Sequence, residues 1–147
     1  MRPNNLFEML NKNLANLKVL YVKLHNYHWN VKGMYFKPIH EMTEAYYNYL
    51  AGKYDEVAER IVQLGEKPLV TLKDYLTNAS LEEEDKNEFD AKYVLSSIRS
   101  DFEQLNGNFK EISKAAVENR DASGDSSAGP DSIFAPDKKN NVLWAKL

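Results

Sequence analysis

The sequence predicts an all-α fold: a four-helix bundle with a short helix in the connection between its second and third helices. Three observations predict it. Apolar side chains recur at steps of three and four over runs far longer than a strand. Glycine and proline punctuate the chain between those runs. No stretch shows the alternation of a half-buried strand, and no internal repeat is visible. At 147 residues a single domain spanning 1–147 is expected.

The first helix opens at Asn4 and Asn5, both good N-caps. Its stripe is Leu6, Leu10, Leu14, Leu17, Tyr21, Leu24, His28 and Val31, and it ends at Gly33, a residue suited to a C-cap. His28 continues the stripe and His25 lies three residues behind it. A lone histidine so placed is ordinarily a hydrogen-bonded core residue, but His28 must pack beside a second helix that opens with His40. That second helix begins at Lys37 and Pro38 and stops near Gly65, where Pro68 prevents continuation. A short amphipathic segment, Leu69 to Leu76, follows. The acidic run Glu82 to Asp85 reads as the solvated start of a third long helix, from about Lys86 to Asn119, because acidic side chains favour the positive end of the helix dipole. Its stripe is Tyr93 or Val94, Ile98, Phe102 or Leu105, Phe109, Ile112 and Ala116. Gly124, Gly129, Pro130 and Pro136 interrupt what comes next, so the fourth helix is expected to be kinked or shortened.

Composition excludes several classes. The absence of cysteine removes disulfides, thiolate zinc sites and thiol catalysis. No apolar run approaches the roughly 20 residues of a membrane span. The N-terminus lacks the apolar core of a signal peptide, and a cytoplasmic location is expected. A net charge of −3 argues against a chain built mainly to coat DNA or anionic lipid.

The second helix carries His40, Glu44, Asp55 and Glu59, common ligands of transition metals. At about 100° per residue, Glu44 and Asp55 lie within roughly 20° of each other around the axis. Along the axis they are roughly 16 Å apart at about 1.5 Å per residue, too far for one metal to bridge. The four positions are spaced symmetrically about the midpoint between Tyr49 and Leu50. Two copies packed antiparallel across a two-fold axis would therefore set His40 and Glu44 of one chain against Glu59 and Asp55 of the other. Two identical sites would result. Asn48 would face Ala51 and Tyr47 would face Gly52, small residues where two backbones approach. A polar helix face in solvent is the plainer reading of the same four residues.

At this point the chain resembles a known family. LHNYHWNVKG, FKPIHEMTEAY and DEVAERIVQLGEKPLVTLKDYL are similar to segments of the Dps family, the DNA-binding proteins from starved cells, which are ferritin-like cages. The combined spacing H-x2-HW-x10-H-x3-E-x10-D-x3-E carries the resemblance, which is close from Leu14 to Leu81. It implies a ferritin-like homododecamer built from two-fold dimers, with iron oxidised at the dimer interfaces. Residue by residue, it implies that His28, His40 and Glu44 of one subunit bind iron with Asp55 and Glu59 of its partner. The family commonly has Asp where this chain has Glu44. Trp29 matches a family tryptophan beside the site, where an oxidisable ring could absorb stray electron equivalents or fill the interface. The tyrosines Tyr46, Tyr47 and Tyr49 read as packing. None of the three histidines has Glu three residues before it, against a di-iron centre inside one bundle.

The expected activity is that of a ferroxidase: Fe(II) and hydrogen peroxide as substrates, or dioxygen in its place, and ferric oxide stored in the cage as protection against oxidative damage. The alternative from another class is a nucleoid-compacting DNA-binding protein whose metal site is secondary. A third is a scaffold whose interface carboxylates hold zinc or calcium. Only Arg2 precedes the first helix, where many relatives carry a lysine-rich tail, so little is present to neutralise phosphates. Asp121, Asp125 and Asp131 could form an acidic entry pore or be loop residues.

Overall fold

The computed structural model describes residues 3–118. The fourth helix, its interrupting prolines and glycines, and the three aspartates of the expected pore lie outside the described residues. Four helices are described: α1 (Pro3–Asn30), α2 (Phe36–Gln63), α3 (Leu72–Asn78) and α4 (Ala91–Glu118). Three are long, and among the described residues there is no strand, only an isolated bridge between Val31 and Phe89.

The expected α1 stripe is buried from Leu6 to Val31, except for half-buried Tyr21. In α4 the buried apolar positions are Val94, Ile98, Leu105, Phe109, Ile112 and Ala115, while Tyr93 stays exposed. The helix α1 ends three residues before Gly33. That glycine, at φ +106°, instead opens the tight turn into α2, whose first N–H, on Phe36, donates to the Gly33 carbonyl. A left-handed backbone there favours glycine. At the other end of α2, Gly65 (φ +89°) sends its N–H to Val62 O and Glu66 sends its own to Ile61 O. This is the paired closure of a Schellman cap.

Contacts fix the helix directions. His28 meets His40 and Tyr21 meets Tyr47, so α2 runs antiparallel to α1. Tyr27 meets Ser97 and Lys23 meets Asp101 while Asn16 and Gln104 share Ser80, so α4 also runs antiparallel to α1. The helices α2 and α4 are therefore parallel, and the connection from Leu64 to Asp90 must return along the bundle. A single long crossover of this kind marks one class of four-helix bundle.

That connection corrects one expectation. The acidic run Glu82–Asp85 is not helical, and α4 starts only at Ala91, capped by Asp90, whose carboxylate accepts from Tyr93 N–H. Tertiary bonds hold the segment extended. Glu84 accepts from the Tyr27 and Tyr93 hydroxyls, and Phe89 is buried with its N–H and carbonyl bonded to Asn30 and Lys32. Asparagines along α1 tie the rest of the crossover down. Asn11 accepts from Leu69 N–H, Asn16 accepts from Ser80 and Leu81 N–H, and Asn26 donates to Lys86 O.

Candidate metal centre

The short turn between α1 and α2 brings the last turn of one against the early turns of the other. His28 and His40 meet there, their rings stacked 3.6 Å apart and 16° from parallel. Each ring is bonded to the other's backbone: His28 Nδ1 lies 2.6 Å from His40 O, and His40 Nδ1 lies 2.8 Å from His28 O. The His28 carbonyl is among the last of α1, where a helix leaves its acceptors unsatisfied. A carbonyl only accepts, so each Nδ1 carries a proton, and Nε2 is the ring nitrogen whose lone pair can serve a metal. Backbone locks of this kind fix the tautomer and orientation of metal-binding histidines.

Thr43 completes the lock. Its hydroxyl donates to the Ile39 or His40 carbonyl and offers its oxygen to His28 Nδ1 at 3.2 Å. The Phe36 ring stacks on His40 at 5.0 Å. His28 is buried and His40 half-buried, whereas Glu44, one helical turn beyond His40, is exposed.

The remaining predicted ligands do not join this group within one chain. Asp55 and Glu59 are exposed and lie further along α2, roughly 16 Å and 22 Å from Glu44 at the α-helical rise. Among the described residues, no three histidine, aspartate or glutamate side chains gather into a metal-holding cluster. Trp29 is 67% exposed, with its ring 5.6 Å from that of His25.

Sequence reasoning left out two residues beside the site. His25 donates from Nδ1 to Tyr21 O at 2.9 Å and lies flat against Tyr47, 3.8 Å between centroids. Tyr47 also turns its ring at 90° to His28, 5.4 Å away. Burial first, then the Glu44 charge, hold the phenol above its usual range, so it remains a donor. Tyr46 by contrast is core, its ring edge-on to Phe102, and Tyr49 carries Lys53 over its face. Only the 100° step around α2 separates these three tyrosines, and spacing alone does not say which azimuth meets α1.

Comparison with known proteins follows the same lines. Residues 7–125 match the ferritin-like domain family. A DNA protection during starvation protein of Helicobacter pylori is 43% identical over 115 residues, covering 78% of this chain and 80% of that one. Antigen TpF1 of Treponema pallidum is 38% identical over 78% of this chain and 65% of its own length. Among solved structures, Helicobacter cinaedi CAIP superposes with a TM-score of 0.84 at 38% identity, over 95% of both chains. The Vibrio cholerae DPS protein, described as a member of a superfamily of ferritin-like diiron-carboxylate proteins, gives 0.84 at 29% identity, over 97% of this chain and 86% of that one.

Proposed function

This chain belongs to the Dps family of ferritin-like proteins, with the all-α bundle of that fold, and on that premise we propose that it oxidises Fe(II) and stores the ferric product. The observation that carries the reading is the reciprocal lock of His28 and His40, with Glu44 one turn away. Two imidazoles with free Nε2 atoms and one carboxylate are a good but incomplete ligand set for Fe(II). Asp55 and Glu59 of the partner subunit complete it when two α2 helices pair antiparallel across a two-fold axis. The description of the cholera relative as a ferritin-like diiron-carboxylate protein supports the same chemistry.

At such a shared site His28 and His40 bind the incoming Fe(II) through Nε2. The carboxylates balance its charge and hold Fe(III) more firmly than Fe(II). Few protein ligands per ion leave coordination positions open to hydrogen peroxide. Two Fe(II) supply the two electrons that, with two protons, reduce one peroxide to two waters. Ferric oxide then accumulates inside a homododecameric cage, in the cytoplasm, and the cell is spared the radicals that iron and peroxide make together. Relatives are named for protecting DNA. With a net charge of −3, we propose that this chain gives that protection by removing iron and peroxide rather than by coating DNA.

The double variant His28→Gly, His40→Gly tests the assignment. The cage is expected to assemble, while peroxide-dependent iron oxidation in stopped-flow absorbance slows by about tenfold or more, the scale on which metal sites respond to loss of their supports. Wild-type rates in the double variant reject it.

A further inference from the structure

We propose that Phe36 is a positioning residue of the iron site: its ring, stacked on His40, holds that imidazole in the plane from which Nε2 meets a metal. The proposal rests on the iron-site reading above. Phe36 is the first residue of α2 and lies one helical turn before His40, on the same face. Its ring is 5.0 Å from the His40 ring and 26° from parallel. It is 43% exposed and stands apart from the apolar core of the bundle. Among the described residues, the one ring it stacks on is that of His40. Packing of the core therefore does not account for a phenylalanine at this position.

The two imidazoles are not held alike. His28 is buried, and its Nδ1 lies within reach of both the His40 carbonyl and the Thr43 hydroxyl. His40 is half-buried, and among the described residues its Nδ1 bonds only to the His28 carbonyl. A hydrogen bond holds one ring atom and only weakly resists tilting of the ring plane, which redirects the Nε2 lone pair. Flat contacts oppose that tilt. His28 supplies one, 16° from parallel at 3.6 Å, and Phe36 supplies the other. Phe36 is itself anchored for the task. Its N–H donates to the Gly33 carbonyl, and Lys32, just ahead of the turn, sends its own N–H to Phe89 O.

Cobalt(II), which tolerates air and reports its coordination in its visible spectrum, is the probe. The full assembled protein is compared with Phe36→Leu, which stays apolar but has no flat face, and with Phe36→Tyr, which keeps the ring. Expected in Phe36→Leu are a loss of Co(II) affinity of about threefold to tenfold, the scale of one aromatic pair, and a changed Co(II) spectrum. The KM for Fe(II) in peroxide-dependent oxidation should rise, with a smaller change in kcat. Phe36→Tyr is expected to bring all of these back toward wild type. An assembled Phe36→Leu protein with wild-type affinity, spectrum and KM overturns the proposal. If Phe36→Leu does not assemble, Phe36→Met carries the test with the same expectations. Failure of both to assemble makes the ring an interface residue and overturns the proposal as well. His40→Gln separates the two levels of argument. If it leaves Co(II) binding unchanged, the iron site itself is misassigned. If it weakens binding and Phe36→Leu does not, only the positioning role falls.

Discussion

The two stacked imidazoles owe their arrangement to backbone acceptors and to one hydroxyl. Thr43 is buried, and its oxygen both donates to a helix carbonyl and accepts from His28 Nδ1. Thr43→Val keeps the branched shape and removes both bonds, while the His28 ring retains its bond to His40 O. A hydrogen bond between neutral groups contributes about 1 kcal/mol net. The variant should therefore lose about that much in denaturant unfolding, with a smaller loss of iron oxidation than the double histidine variant shows. An unshifted midpoint would mean that the hydroxyl supports nothing. That His28 packs beside His40 was legible in the sequence, because His28 continues the apolar stripe of α1 toward the opening of α2. Their locks were not, since the partner of each is a carbonyl that every residue possesses. Which of the three tyrosines packs against the histidines of α1 was hidden for a related reason, because only the packed neighbour distinguishes their faces.

Between elements, the bundle joins α1 to α4 through a polar seam as well as an apolar one. Lys23 Nζ and Asp101 Oδ2 lie 2.6 Å apart, both buried. Burial raises the Asp101 pKa above 3.8, and Lys23 only partly opposes this. A carboxyl raised on folding contributes its full stability below its ordinary pKa and loses it as pH rises through the folded value, so near neutrality the charged Asp101 is a net cost. Asp101→Asn would leave the ammonium buried without its counter-charge, and a loss of about 3–5 kcal/mol is expected. Lys23→Met together with Asp101→Leu should recover it, or exceed wild type by about 1–4 kcal/mol, in the same unfolding experiment. If the single variant is as stable as wild type, the pair is not desolvated as the structure has it. The apolar stripes of α1 and α4 were readable from their period, because burial of one helix face leaves a regular trace. The seam was not. Asn11, Asn16 and Asn26 look like solvent-facing residues until the crossover lies over them. Glu84 looks like a helix start until Tyr27 and Tyr93 supply better partners than a helix would.

At the scale of the whole molecule, Gly52 is out of place within one chain. It sits inside α2, where glycine is about 1 kcal/mol worse than alanine, and a Cβ added there meets no atom within 4 Å. Among the described residues nothing in the fold of the single chain requires it. In an antiparallel pairing of two α2 helices about the midpoint between Tyr49 and Leu50, Gly52 faces Tyr47 of the partner subunit, and a small residue lets the backbones close. The same closure brings His40 and Glu44 within reach of the partner's Glu59 and Asp55. Gly52→Leu is therefore a selective test, because the described residues leave a Cβ at position 52 in open space and the proposed interface leaves none. Far-ultraviolet circular dichroism should show helix content at or above wild type, while light scattering should show the cage mass falling to that of smaller species. Iron oxidation should fall with assembly, since each half-site then keeps only His28, His40 and Glu44. A Gly52→Leu protein that assembles and oxidises iron as wild type does would place the two-fold contact elsewhere and leave Asp55 and Glu59 without a role in the site.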